Sequence, residues 1–148
     1  MSIQKMTEII PIEKLQSFQK QFSDTFRMSS LIIDLKGNPI TEEAHAHNFC
    51  RLVRHSSNNQ DFYQKIIDQT LSFPDQSKVV FFRHPFFEEM LFAFIPIVIH
   101  GKHLASWISG QVLEKELSDE KVLEYQKKLN IPFEEFTGAL KTVPFFAE

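Results

Sequence analysis

The sequence predicts an α+β fold, a five-stranded antiparallel sheet with helices over one face and flanking helices near both termini. Three observations predict it. Apolar residues recur at spacings of three and four near the N-terminus, whereas the second half switches to β-branched and aromatic runs punctuated by turn residues. With 43% hydrophobic and 24% charged residues, the chain has enough apolar surface for a packed core.

Taken in order, Ile12, Leu15, Phe18, Phe22 and Phe26 form a helical stripe that places an N-terminal helix over residues 12–27. This stripe reads either as a relay and dimer surface, shared with terminal helices ending Pro144-Phe145-Phe146, or as packing onto the back of the sheet. Leu31-Ile32-Ile33-Asp34 is a strand, Gly37 supplies the positive φ of a tight turn, and Pro39-Ile40-Thr41 is a short second strand. Phe49 to Arg54, capped by Asn48, reads as one or two helical turns. Gln60 to Leu71 is a helix with Phe62, Ile66, Ile67 and Thr70 on one side.

Lys78–Arg83, Met90–Ile99 and Leu104–Val112 are three longer strands, the last two joined as a hairpin at His100-Gly101-Lys102. Pro96 lacks a ladder donor, which predicts an edge position or a bulge there. Ser118 caps a helix running to about Leu129, with Asp119 and Glu120 in its first turn, where carboxylates favour the dipole. Pro132 opens a last helix at its first helical position, so the C-terminal helices occupy residues 118–141. No repeat, linker or low-complexity stretch intervenes, and residues 1–148 read as a single domain.

Composition narrows the function. Cys50, the only cysteine, cannot form an internal disulfide, and Met1–Lys5 lacks an apolar signal core, so the expected location is cytoplasmic. The longest apolar run, Met90–Ile99, falls far short of the roughly 20 residues of a membrane span. A net charge of −3 with scattered basic residues leaves no nucleic-acid footprint, so DNA contact is expected only through a separate domain. There is no glycine-rich phosphate loop or nucleophile elbow, and neither an enzyme activity nor a cofactor is expected. Sixteen phenylalanines point to a Phe-packed core or an aromatic-walled cavity.

The stretch Ala44-His45-Ala46-His47-Asn48-Phe49-Cys50 gathers two imidazoles and the thiol. A metal reading takes His45, His47 and Cys50, with His55 or His84 as a fourth ligand, but this is not a recurring zinc spacing. A nucleophile reading has only a helix start in its favour. The simpler reading makes the histidines polar loop residues and Cys50 a small buried hydrophobe at the pocket edge, with no metal bound.

Two strands, small helices and then a three-strand meander are the arrangement of a PAS-like sensor. Several strings carry a narrower resemblance. Leu31 to Ile40 resembles the opening of the PocR sensory domain, and Phe49-Cys50-Arg51-Leu52 its first helix start. Pro96 to Leu104 and Ser109 to Leu113 resemble its hairpin, and Leu129 to Pro132, Ala139-Leu140 and Val143-Pro144 its end, so the similarity spans about residues 12 to 146. The resemblance implies a PAS-related sensing domain of AraC-type regulators and signalling kinases, detecting small hydrocarbon derivatives such as 1,2-propanediol or glycerol. Many members carry further cysteines able to hold metal. Here Asn58–Phe62 and His84–Phe87 supply none, which weakens a metal-linked role.

A diol must bury a little carbon and pair two hydroxyls, each costing roughly 1 to 3 kcal/mol if left unpaired. Trp107, Ser109 and Gln111 share one strand face by period two and offer a ring, a hydroxyl and an amide. Phe92 and Phe94 share a face, as do Phe82 and His84, as either core or ligand wall. The expected site is therefore Trp107, Ser109, Gln111, Cys50, His84, Phe82, Phe92 and Phe94. Alternation leaves open a solvent-facing Trp107 row with Leu104, Ile108 and Val112 in the core. Arg83 is a surface residue or a ligand contact, and His100 and His103 are solvated. The expected function is a ligand-sensing domain of a transcriptional regulator or signalling protein, as a homodimer. Its alternatives are a metal or redox sensor centred on Cys50 and a ligand-free PAS-like dimerisation module.

Overall fold

The computed structural model describes residues 5–44, 52, 62–84 and 87–144. Its longest pairing follows from the shortest connection. His100 and Gly101 take positive φ angles of 51° and 74°, the geometry that suits strand twist, and join Met90–Ile99 (β3) to Lys102–Leu113 (β4). Val80–Arg83 (β2) pairs antiparallel with β3, Val80 opposite Phe94 and Arg83 opposite Leu91. Ser29–Ile33 (β1) pairs with the other side of β4, Ser29 opposite Gly110 and Ile33 opposite Ser106. The sheet order is β1-β4-β3-β2.

Among the described residues the sheet has four strands, not the five that the sequence predicts. The predicted strand Pro39–Thr41 runs beside β1 but makes only one isolated bridge, Pro39 to Ile33, and a second bridge, Ala44 to Ser30, lies beyond it. Pro39 has no N–H to give. The Ile32 N–H, which a ladder would hand to a carbonyl, donates instead to Thr41 Oγ1 at 3.1 Å. The preceding turn is held by the Asp34 carboxylate, which accepts from the Lys36 and Asn38 N–H groups at 2.9 Å each. At its tip Gly37 has φ 89°, and a Cβ there would lie 2.9 Å from both Ile67 and Leu71. Pro96 lies beyond Phe94, where β2 stops pairing, and one residue before a register shift between Ile97 and Val98.

Alternation along β1 divides the core in two. Leu31 and Ile33 point to the side covered by Phe62–Leu71 (α3), Asp119–Leu129 (α4) and Phe133–Leu140 (α5). There Ile66, Ile67, Tyr125, Leu129 and Phe136 pack with Phe82, Phe92, Phe94 and Ile108. Ile32 points to the other side, where Met6–Ile9 (α1) and Ile12–Phe26 (α2) set Met6 and Leu15 against Ala105 and Trp107. Helices therefore cover both faces, a correction to the one-faced expectation. The one-turn α1 is too short to show periodicity. At the start of α4 the Ser118 hydroxyl accepts from the Lys121 N–H, and Asn130 ends it at φ 53°. Pro132 is the cap of α5, one position before its first helical residue.

Helix α2 docks through an unexpected side. Its buried residues are Leu15, Gln19 and Ser23, while Phe18 and Phe26 stay 61% and 57% exposed. The reason lies in what it covers. The outer edge of β1 and the irregular segment beside it present carbonyls that need donors. Gln19 Nε2 donates to the Ser30 and Glu42 carbonyls at 2.6 and 2.7 Å, and its Oε1 accepts from the Thr41 hydroxyl. Gln16 Nε2 donates to the Glu42 carbonyl, and its Oε1 accepts from the Glu42 N–H. The Ser23 and Ser30 hydroxyls meet at 2.7 Å.

Replacing Gln19 by leucine would make α2 more regularly amphipathic by sequence, yet it removes three hydrogen bonds, two of them buried. Each buried group left unpaired costs about 1–3 kcal/mol, so Gln19→Leu is expected to lower stability by about 3 kcal/mol. Urea unfolding of the two proteins measures the difference.

Candidate functional site

Period-two alternation on two paired strands brings rings into register on the α3–α5 side of the sheet. Phe82 on β2 stacks on Phe92 on β3 at 5.4 Å between centroids, as their backbone pairing dictates. Phe73, just after α3, meets both Phe82 and Phe94 edge-on at 5.3 and 5.4 Å. His84 continues the file, 5.4 Å from Phe92 and 4.8 Å from Phe87, and Phe87 in turn meets Tyr125 of α4 at 4.7 Å. Four of the expected site residues, Phe82, His84, Phe92 and Phe94, thus form one aromatic wall.

The polar tips in that wall are buried. His84 is 3% exposed, its Nδ1 accepts from the Phe87 N–H at 3.1 Å, and its proton therefore sits on Nε2. Burial pushes the His84 pKa down to about 3, so the ring is neutral at pH 7. Glu89 is also buried and accepts from the Tyr125 hydroxyl at 2.8 Å. Burial, and then the hydrogen bond to this carboxylate, hold the Tyr125 hydroxyl well above its ordinary pKa.

The expected row Trp107-Ser109-Gln111 does not share one face. Between Leu91 and Phe92 the β3–β4 register shifts: Phe92 lies opposite Gly110 and Leu91 opposite Val112, leaving Gln111 as the extra residue. Trp107 and Ser109 look towards α2, Trp107 meeting Phe22 edge-on at 5.2 Å and Ser109 Oγ donating to the Ser29 carbonyl at 3.4 Å. Leu113 packs in the core of the α3–α5 side, and alternation back from it returns the buried Gln111 to the side of His84. Period-two counting fails here because one inserted residue reverses the faces.

On the α2 side the sheet carries an open groove of about 380 Å³, walled by Phe22, Met28, Phe81, Leu91, Ile95 and Val112, with Ser109 in its floor. None of its lining residues is ionisable. Arg83 lies at the surface, donating to Glu114 and to the Glu88 carbonyl. His100 is exposed, but His103 is partly buried, 2.8 Å from the Ser106 hydroxyl, a correction to the expected solvated ring. Cys50, His45, His47 and His55 lie outside the described residues. Among those described, no three His, Cys, Asp or Glu side chains are grouped to hold a metal.

Sequence reasoning missed Phe73, Phe87, Glu89 and Tyr125. Tyr125 had a signal, since Val122, Tyr125 and Leu129 repeat at helical spacing. Glu89 had none, because an unpartnered glutamate is ordinarily exposed and its partner is 36 residues away.

A family model described as the sensory domain found in PocR matches residues 8–148, nearly the whole chain. No curated protein and no solved structure matches it. Among the described residues no helix is long and apolar enough to cross a membrane.

The neutral, buried His84 has a pH signature. Unfolded, its imidazole binds a proton below its ordinary value of 6.5, whereas the folded ring does so only near 3. Its contribution to stability is therefore complete above the unfolded value and falls as the pH drops from there towards the folded one, with a slope approaching about 1.4 kcal/mol per pH unit. A His84→Gln variant is expected to lack that slope. Urea unfolding of both proteins between about pH 6 and pH 5 tests this.

Proposed function

The chain belongs to the PocR sensory-domain family, and on that premise we propose that it senses a small hydrocarbon derivative, a short diol or polyol such as 1,2-propanediol or glycerol. It does so for a transcriptional regulator or signalling protein, without catalysis, and works as a homodimer. The observation that carries this reading is the aromatic wall on the α3–α5 side, interrupted by buried hydrogen-bonding side chains at His84 and Gln111. Rings give dispersion contacts to two or three carbons. The His84 Nε2–H donates to one hydroxyl, and the Gln111 carboxamide both donates and accepts. Such a mixture suits a guest that is half hydrocarbon and half hydroxyl.

Size limits the affinity. With at most about 1.5 kcal/mol per heavy atom, a five-atom diol reaches roughly 10 µM at best, and weaker binding suits a nutrient signal. The signal itself requires that the ligand favour one arrangement of the domain over another.

In thermal-shift assays, millimolar 1,2-propanediol or glycerol is expected to raise the melting temperature of the protein, and 1-propanol to raise it less. His84→Ala and Gln111→Ala are expected to abolish the response. Trp107→Ala, on the opposite face, is expected to lower the melting temperature while keeping the response. A flat response of the parent to every diol and polyol removes the sensing proposal, and a response lost only in Trp107→Ala moves the site to the α2 side.

A further inference from the structure

We propose that the phenylalanine side of α2 and the groove beside it form one surface on which a second copy of this chain docks. The assignment rests on the homodimer reading above and gives that dimer its interface. Its starting point is exposure: Phe18, Phe26 and Phe81 are 61%, 57% and 74% exposed. At roughly 150–250 Å² per ring, these three leave on the order of 400 Å² of aromatic surface in water. That already matches the largest apolar patch of a typical monomer before the half-buried groove walls are added.

The patch is continuous. The Phe22 and Phe26 rings lie 4.9 Å apart, and Phe22 is itself a wall of the groove that Phe81, Leu91 and Val112 close on the sheet. A standard interface buries about 800 Å² on each partner, and the three exposed rings alone supply about half of it.

Charge allows a second copy as the occupant. In a two-fold dimer the same patch meets itself, so any excess of one sign on it would repel. The chain carries a net charge of −3, yet every groove-lining residue is uncharged. On the exposed flank of α2 the i+3 neighbours of Phe18 and Phe22 are the neutral Gln21 and Thr25, and Lys14, one turn before Phe18, is the charge that borders them. Shape agrees with this. A projecting set of rings sits directly beside an open apolar recess, so a two-fold axis between them lays the rings of each protomer in the groove of the other.

Sedimentation equilibrium of the full chain tests this. The parent is expected at twice 17.3 kDa. Phe18→Glu and Phe81→Glu, both at exposed positions, are expected to keep the parent's circular dichroism and melting temperature while weakening the dimer at least about tenfold. Leu123→Glu, at an exposed position on α4, is expected to leave it unchanged. If the parent is dimeric and both phenylalanine variants dimerise as tightly, the surface is wrong although the dimer stands. A parent at 17.3 kDa removes the homodimer reading and the surface together. A monomer carrying an apolar small molecule in native mass spectrometry gives the groove to that molecule instead. None of these outcomes depends on the diol response.

Discussion

The structure depends on one constraint: β4 is paired on both edges and covered on both faces. Its neighbours are β1 and β3, joined to it by backbone ladders, and its two faces belong to two separate cores. A strand so enclosed has no freedom to slip, since a one-residue slide would exchange the inward and outward sets of side chains. Its register against β3 changes at two places, Leu104 and Gln111, and the change at Gln111 bears on the site. That extra residue lets the outer stretch of β4 show Trp107 and Ser109 to α2 while Gln111 returns to the aromatic side.

This division gives the two faces different chemistry. On the α3–α5 side, rings from β2, β3 and the segment after α3 interlock, and the hydrogen-bonding groups among them are buried with defined partners, as His84 with Phe87 and Glu89 with Tyr125 show. Buried polar groups with few alternatives hold one arrangement firmly. On the α2 side there is less helix than sheet. The result is an apolar recess bordered by exposed phenylalanines, with no charged residue in its lining.

The polar docking of α2 ties it to the outer edge of the sheet. Gln16 and Gln19 grip the backbone of Glu42 and Ser30, and Glu42 stands just before the histidine-rich stretch that begins at His45. The Glu42 backbone has a direct hydrogen-bonded route to α2, through the buried Gln19 and the half-buried Gln16. Such a route carries a signal only if it has two arrangements that the ligand weighs differently.

Much of the fold was legible because its signals are local. Cap residues and periodicity mark α4 through Ser118, Asp119 and Glu120, the His100-Gly101 turn sets the hairpin, and Ile66, Ile67 and Thr70 declare the buried side of α3. The pairing of Phe82 with His84 and of Phe92 with Phe94 on shared faces also follows from alternation alone. Tertiary structure decided the rest. It reduced Pro39–Thr41 to a single bridge, broke the Trp107-Ser109-Gln111 row with one inserted residue, and turned Phe18 and Phe26 of α2 outward. In each case the deciding partner lies outside the element itself: the carbonyls of Ser30 and Glu42 for α2, the register of β3 for Gln111, the Ile32 N–H for Thr41. Periodicity reports which residues share a side of an element. Which side is buried depends on what the rest of the chain brings to meet it.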